Sequence, residues 1–227
     1  MGRGGNLKKN VQIMIIVFFA CLIMGIVDAV IMPGYAAKSA IKVALFLLLP
    51  IFYSVINRDT SVKNVMIPNK KGFLTALVLG AGVYAVVLGA YLAFRNVFDF
   101  SALTSNLTAQ TGVNKSNFIF TAIYISFVNS LLEEFFFRGF AFLNLKRVSE
   151  RKTAYIFSSV LFALYHIAMM IGWFGIPVLL ITVVGLFIGG CIFNFLDEKY
   201  GNIYLSWLVH MFANFATNTI GFILFAE

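Results

Sequence analysis

Apolar residues in this chain come in long runs and do not alternate. Seven runs approach or exceed the roughly 20 predominantly apolar residues that a helix needs to cross a bilayer. They are Val11–Met32, Ile41–Ile56, Phe73–Phe94, Asn117–Leu145, Thr153–Ile171, Ile176–Leu196 and Ile203–Ala226. The pattern predicts an all-α fold, a polytopic transmembrane bundle of about seven spans with four core helices carrying any site. Val11–Met32 is longer than a signal-peptide h-region and ends in no clear small-x-small cleavage site, so it reads as a retained first span. Ile41–Ile56 is short, bears Lys42 at its start and is interrupted by Pro50, which predicts a tilted or partly re-entrant segment. Phe73–Phe94 is rich in Gly and Ala, as close helix packing in lipid favours. The longest loop is Arg95 to Ser116, and no internal repeat is visible.

Composition agrees with a lipid solvent. The 227 residues are 61% hydrophobic and only 11% charged, with a mean hydropathy of +0.93. Soluble domains of this length do not have such a balance. The chain reads as one integral membrane domain. A finer division takes residues 1–116 as N-terminal spans plus the outer loop and 117–227 as a functional core. The net charge of +8 implies no nucleic-acid partner, because the basic residues sit in short loops between apolar runs, where they set orientation. With the N-terminus inside, twelve Lys and Arg fall on the inner side, among them Arg58 and the Lys146, Arg147, Arg151, Lys152 group. Four fall outside: Lys38, Lys42, Arg95 and Lys115. The bias predicts a cytoplasmic N-terminus and an outer C-terminus at Glu227. Cys21 and Cys191 both lie in apolar runs and indicate neither a disulfide framework nor a metal site.

Some polar residues lie where lipid should forbid them. The fourth run contains LLEEFFFRGF, Leu131 to Phe140, with Glu133, Glu134 and Arg138 in one apolar setting. A charge at the bilayer centre costs roughly 2.5–3.5 kcal/mol on insertion scales. Three in six residues therefore mark a site more readily than a structural polar knot. Both histidines, His166 and His210, are also inside spans, and Asn214 stands one turn after His210 on the same face. At 1.5 Å per residue, Glu133 lies roughly 24 Å below the outer end of its span, with His166 roughly 20 Å and His210 roughly 10 Å from the inner ends of theirs. These depths permit one cluster between midplane and cytoplasmic face. Carboxylate, two imidazoles and an amide in a dry pocket suit a hydrolase, in which the carboxylate takes a proton from water. The same set could bind a divalent ion without chemistry, or relay protons in a small transporter.

Three segments, EEFFFRG (Glu133 to Gly139), FALYH (Phe162 to His166) and HMFAN (His210 to Asn214), resemble the EExxxR, FxxxH and HxxxN/D motifs of the CAAX prenyl protease and bacteriocin-processing family of intramembrane proteases, CPBP or Abi. Each motif alone is weak; all three, in order and each within a span, are specific. The resemblance covers about residues 117–220. It implies an intramembrane endopeptidase, in a multi-pass protein of a bacterial plasma membrane, with its site open to the cytoplasm and a membrane-associated peptide or protein as substrate. It further implies catalytic roles for Glu133 and His166 on the attacking water and for His210 and Asn214 on the oxyanion, with Glu134 and Arg138 in support. Zn or another divalent metal, if bound, would take Glu133, His166 and His210 as ligands; a metal-free, glutamate-activated water is the other mechanism the family suggests. Relatives cut after a prenylated cysteine or serve bacteriocin maturation, self-immunity or peptide signalling, and nothing in the sequence selects among them or fixes an oligomeric state. A non-catalytic immunity or scaffold protein on the same fold is the alternative. The marks of other intramembrane proteases, HExxH, GxGD and GxSx, are missing.

The adjacent glutamates divide on spacing. Successive helical residues point about 100° apart. Glu134 has Arg138 at i+4, in the favourable order; Glu133 has Phe136 and Phe137 there. The pattern predicts an ion-paired, orienting Glu134 and a desolvated, unpaired Glu133 free to exchange a proton.

Overall fold

The computed structural model describes residues 3–57, 60, 62–68, 70–173 and 175–226. Arg58 and Glu227, used in the orientation argument, lie outside them. The described residues form helices and connecting turns, and seven helices are long and apolar enough to cross a membrane. In chain order we label α1 (Lys8–Ile31), α2 (Tyr35–Ile56) and α3 (Phe73–Phe94). A loop helix, α4 (Ser101–Thr111), follows. Then come α5 (Phe118–Val148), α6 (Arg151–Met170), α7 (Ile176–Tyr200) and α8 (Tyr204–Ala226). The apolar runs locate these helices to within a few residues, save at one end of α2.

That helix is not short: it runs unbroken for 22 residues, long enough to cross a membrane. It starts six residues before the apolar run, at Tyr35, and takes in both Lys38 and Lys42. Two facts explain the correction. Each lysine has an acid to meet inside the protein: Lys38 Nζ lies 2.8 Å from Asp28 of α1, and Lys42 reaches Glu133 of α5. Neither therefore behaves as a flanking charge, which leaves Arg95 and Lys115 of the four basic residues that the sequence pattern places outside. Pro50 is also accommodated without a break. A π turn, Ala44–Leu48, precedes it, and Leu49 N–H bonds back five residues to Ala44 O, so the register shifts where proline has no N–H to give.

α5 is the axis of the bundle. At 31 residues it exceeds what a straight span requires, and it is interrupted twice by π segments, Ile125–Asn129 and Phe135–Phe142. Each π turn frees carbonyls from the ordinary ladder, and in an apolar interior these need other donors. Polar side chains supply them. Asn214 Nδ2 donates to Ile125 O at 3.1 Å, Ser158 Oγ to Phe137 O at 2.9 Å, and Asn144 Nδ2 to Phe140 O at 2.9 Å. Between the π segments sits one short α stretch, Ser130–Glu134, which carries both glutamates.

The other helices enclose this axis. α6 and α7 form an antiparallel hairpin, α1 runs along α6 and the end of α5, and α3 lies against α8. At Gly80 of α3 an added Cβ would stand 2.6 Å from the Phe212 ring, so only glycine permits that approach. The core is aromatic: Phe46 of α2 stacks on Phe136 of α5 at 4.1 Å between centroids, and Phe136, Phe137 and Phe140 are fully buried.

Candidate active site

Glu133 is 1% exposed and its two oxygens meet different surroundings. Oε1 accepts from Lys42 Nζ at 2.5 Å and from Asn129 Nδ2 at 2.9 Å. Lys42 Nζ also donates to Asn129 Oδ1 at 2.5 Å, which closes a three-membered set. The expected unpaired Glu133 is therefore corrected: its partner comes from α2, which an i+3 or i+4 search along α5 cannot find. Oε2 has no hydrogen-bond partner. It faces His166 Nε2 at 3.6 Å and His210 Nε2 at 3.7 Å.

Both imidazoles are held by their other nitrogen. His166 Nδ1 lies 2.7 Å from Phe162 O, one turn earlier on α6. A carbonyl only accepts, so Nδ1 carries the hydrogen and Nε2 presents its lone pair. His210 Nδ1 lies 2.7 Å from Glu134 Oε1; the same logic puts the hydrogen on Nδ1 and the lone pair on Nε2. With both imidazoles neutral, three acceptor atoms from α5, α6 and α8 converge on one small space. A water molecule placed there could donate to two of the three.

Glu134 serves this arrangement from behind. Its Oε1 accepts from Arg138 NH1 at 3.2 Å as well as from His210, so the i,i+4 pair expected from spacing forms and also orients an imidazole. Arg138 is wholly buried. Its guanidinium carbon lies 4.0 Å from the Phe162 ring centroid and 4.8 Å from that of Phe193, so aromatic faces supply part of the solvation that water would give. Phe193 also stacks on His210 at 5.4 Å. One helical turn of α7 away, Asp197 accepts from Ser206 Oγ at 2.9 Å, buried beside this group.

Of the residues nominated by sequence, Glu133, His166 and His210 meet at the pocket, and Glu134 and Arg138 stand behind it. Asn214 does not meet Glu133: it sits one turn beyond His210, with its amide nitrogen bonded to Ile125 O. Sequence reasoning missed Lys42 and Asn129. The available signal for Lys42 was Asp28 and Glu133, two acids within spans, opposite two lysines spaced i,i+4 at the start of the next helix. Of the three residues at the pocket, His166 is the most exposed, with 14% of its side chain accessible against 7% for His210 and 1% for Glu133.

The metal alternative can be judged on these residues. Glu, His and His are a suitable donor set for zinc. Among the described residues, however, no group of three or more His, Cys, Asp or Glu is arranged to hold an ion. Lys42 also places an ammonium on the carboxylate that would be the ligand, where a divalent cation would meet like charge. The residues do not fit a resident metal, and no step below is routed through one.

Comparison with known proteins addresses the same residues. Positions 115–216 match the family model described as type II CAAX prenyl endopeptidase Rce1-like. This part of the chain is Rce1-like. The resemblance carried by the three motifs is thereby borne out, since the match spans Glu133, His166, His210 and Asn214. No curated protein and no solved structure matches the chain. At the family level this similarity supports a CAAX-type intramembrane protease, and with seven apolar helices the protein is an integral, multi-pass membrane protein. Lys42 lies outside the Rce1-like segment.

Proposed function

We propose that the protein is an intramembrane endopeptidase that hydrolyses a peptide bond of a membrane-associated peptide or protein with a water activated by Glu133. The observation that carries this reading is the convergence of Glu133 Oε2, His166 Nε2 and His210 Nε2 on one buried point. A water there gives a proton to Oε2 as its oxygen attacks the carbonyl carbon, with His166 holding the water in line. The carbon becomes tetrahedral and its oxygen negative. In this step His210 carries on Nε2 a proton taken up from solvent before attack, its charge balanced by Glu134 at Nδ1, and donates a hydrogen bond to that oxyanion, keeping the proton throughout. The proton on Glu133 then passes to the leaving amine as the C–N bond breaks. Burial of the pocket keeps bulk water from screening these charges. Asn214 contributes by fixing α8 to the π turn of α5, which sets the height of His210.

The test is cleavage by the purified protein in liposomes of a fluorogenic peptide ending in a farnesylated cysteine box, beside its unprenylated counterpart and a membrane-spanning peptide. Turnover by the wild type that is lost in Glu133→Ala supports the reading and its pattern over the three probes names the substrate class. Equal results for both proteins would favour an immunity or scaffold role. Elemental analysis after chelator treatment accompanies it: full activity is expected without metal, and loss restored by zinc would overturn the metal-free step. The proposed orientation, with a cytoplasmic N-terminus and pocket, rests on the distribution of Lys and Arg. Labelling of Val148→Cys, but not Asn106→Cys, from the cytoplasmic side checks it.

A further inference from the structure

Lys42 lies in α2, outside the segment shared with the Rce1-like family, yet it touches the central carboxylate. It is 5% exposed and 91 residues from Glu133 in sequence. Aromatic rings wall it in, with Tyr165 at 5.0 Å and Phe46 at 5.6 Å from Nζ to centroid. An ammonium in such a place needs a compensating partner, and the partner could be met in many ways. Glu134 also keeps one oxygen without a donor; what distinguishes Glu133 is where its second oxygen stands, opposite two imidazole nitrogens. Lys42 and Asn129 both converge on Oε1 of Glu133, whereas Oε2, equally buried, is given no donor at all. A buried carboxylate oxygen left without a donor is unfavourable and calls for a reason. The two imidazole nitrogens facing it supply one.

We propose that Lys42 is a positioning residue for hydrolysis: it fixes Glu133 by Oε1, which leaves Oε2 as the single basic oxygen aimed at the water between His166 and His210. Lys38, one turn earlier, anchors the same helix to Asp28 of α1 at 2.8 Å, so α2 is held at both points by ion pairs. Asn129 bridges Lys42 and Glu133 and limits rotation of the carboxylate about its terminal bond. The arrangement ties the working atom of the shared core to a helix outside it. Without the ammonium, Glu133 can turn either oxygen, or neither, to the pocket.

This inference rests on the protease reading, so its test has one arm that needs no activity. Thermal unfolding of wild type, Lys42→Met, Glu133→Gln and the double variant forms a cycle. Lys42→Met lowers the transition, because it leaves Glu133 uncompensated, and adding Glu133→Gln restores most of the loss. Additive losses would overturn the pairing, whatever the protein cleaves. In the kinetic arm, on whichever probe the wild type cleaves, Lys42→Met lowers kcat by about 10²-fold, the scale of a misplaced reacting group, while KM stays within about threefold. Lys42→Arg recovers part of kcat by restoring the charge, although its fork does not reproduce the ammonium geometry. An unchanged kcat in Lys42→Met, or a loss carried wholly by KM, would overturn the positioning role. Absence of cleavage of any probe by the wild type would instead sink the protease reading, and activity that survives in Glu133→Gln the Glu133-activated water, each leaving the unfolding cycle to decide the pairing.

Discussion

The pocket has two sides, one built around Glu133 and one around Glu134, and they are organised on opposite plans. On the Glu134 side the charge is neutralised locally, by Arg138 four residues on: Arg138 and His210 both meet Oε1, Oε2 is buried without a donor, and aromatic rings of α6 and α7 surround the guanidinium. On the Glu133 side the neutralising charge comes from a distant helix, and the oxygen it leaves faces two imidazole nitrogens. The first plan holds things still: Glu134 grips Arg138 and His210 at once. The second aims its free oxygen at the imidazoles. Adjacent residues of the same type can thus be given a structural and a chemical task, provided that the helix turns them to different neighbours.

The largest effect is expected where the free atom is removed. Glu133→Gln keeps the shape and the hydrogen bond to Lys42 but cannot take a proton, so turnover should fall by at least about 10³-fold, as loss of a general base allows. Folded protein should still accumulate, with a lowered unfolding midpoint because Lys42 loses its buried carboxylate partner. Activity near wild type, measured on the peptide that the wild type cleaves, would erase the contrast between the two sides.

Glu134→Gln should fail differently. It strands Arg138, with no exposure at all, and breaking a buried pair by removing one partner costs roughly 3–5 kcal/mol. Yield and thermal stability should drop, and the activity of what folds should drop with the orientation of His210. A stable but inactive Glu134→Gln beside an active Glu133→Gln would exchange the two roles. Phe193→Leu probes the same side more gently. It removes one aromatic face from Arg138 and the ring that stacks on His210, for which a desolvated cation–π contact suggests about 2 kcal/mol. The Glu133 side should feel little of it: thermal stability should fall while KM on the cleaved peptide holds.

The sequence made the first of these plans visible and hid the second. Span positions follow from apolar length, and the Glu134–Arg138 pair follows from i,i+4 spacing, because both are local. The convergence of Glu133, His166 and His210 was suggested by their depth in three spans, although distances needed the packed helices. Lys42 was misplaced because a lysine near the end of an apolar run looks like a flank until an acid on another helix is set against it. The π segments were hidden too. The excess length of α5 and the polar residues Ser158, Asn144 and Asn214 on it and on facing helices were their trace, but nothing in residue order says which carbonyl each side chain will serve.

The smallest expected effect concerns Asn129, and it tests how finely the Glu133 side is tuned. Its amide donates to Oε1 at 2.9 Å while its carbonyl oxygen accepts from Lys42 at 2.5 Å. Asn129→Ala deletes both bonds but leaves the Lys42–Glu133 contact, which carries the charge and therefore most of the energy. Neither remaining charge is orphaned, so the large penalty of a broken buried pair does not arise. Loss of ordinary hydrogen bonds in a partly exposed position suggests about 1 kcal/mol of stability. Turnover should fall less than tenfold, since Lys42 still holds Oε1 and Oε2 still faces the imidazoles. The measurement is kcat together with the unfolding midpoint of Asn129→Ala. A loss of kcat as deep as that of Lys42→Met, at nearly wild-type stability, would mean that the carboxylate is aimed by the amide and that the lysine does no more than neutralise it.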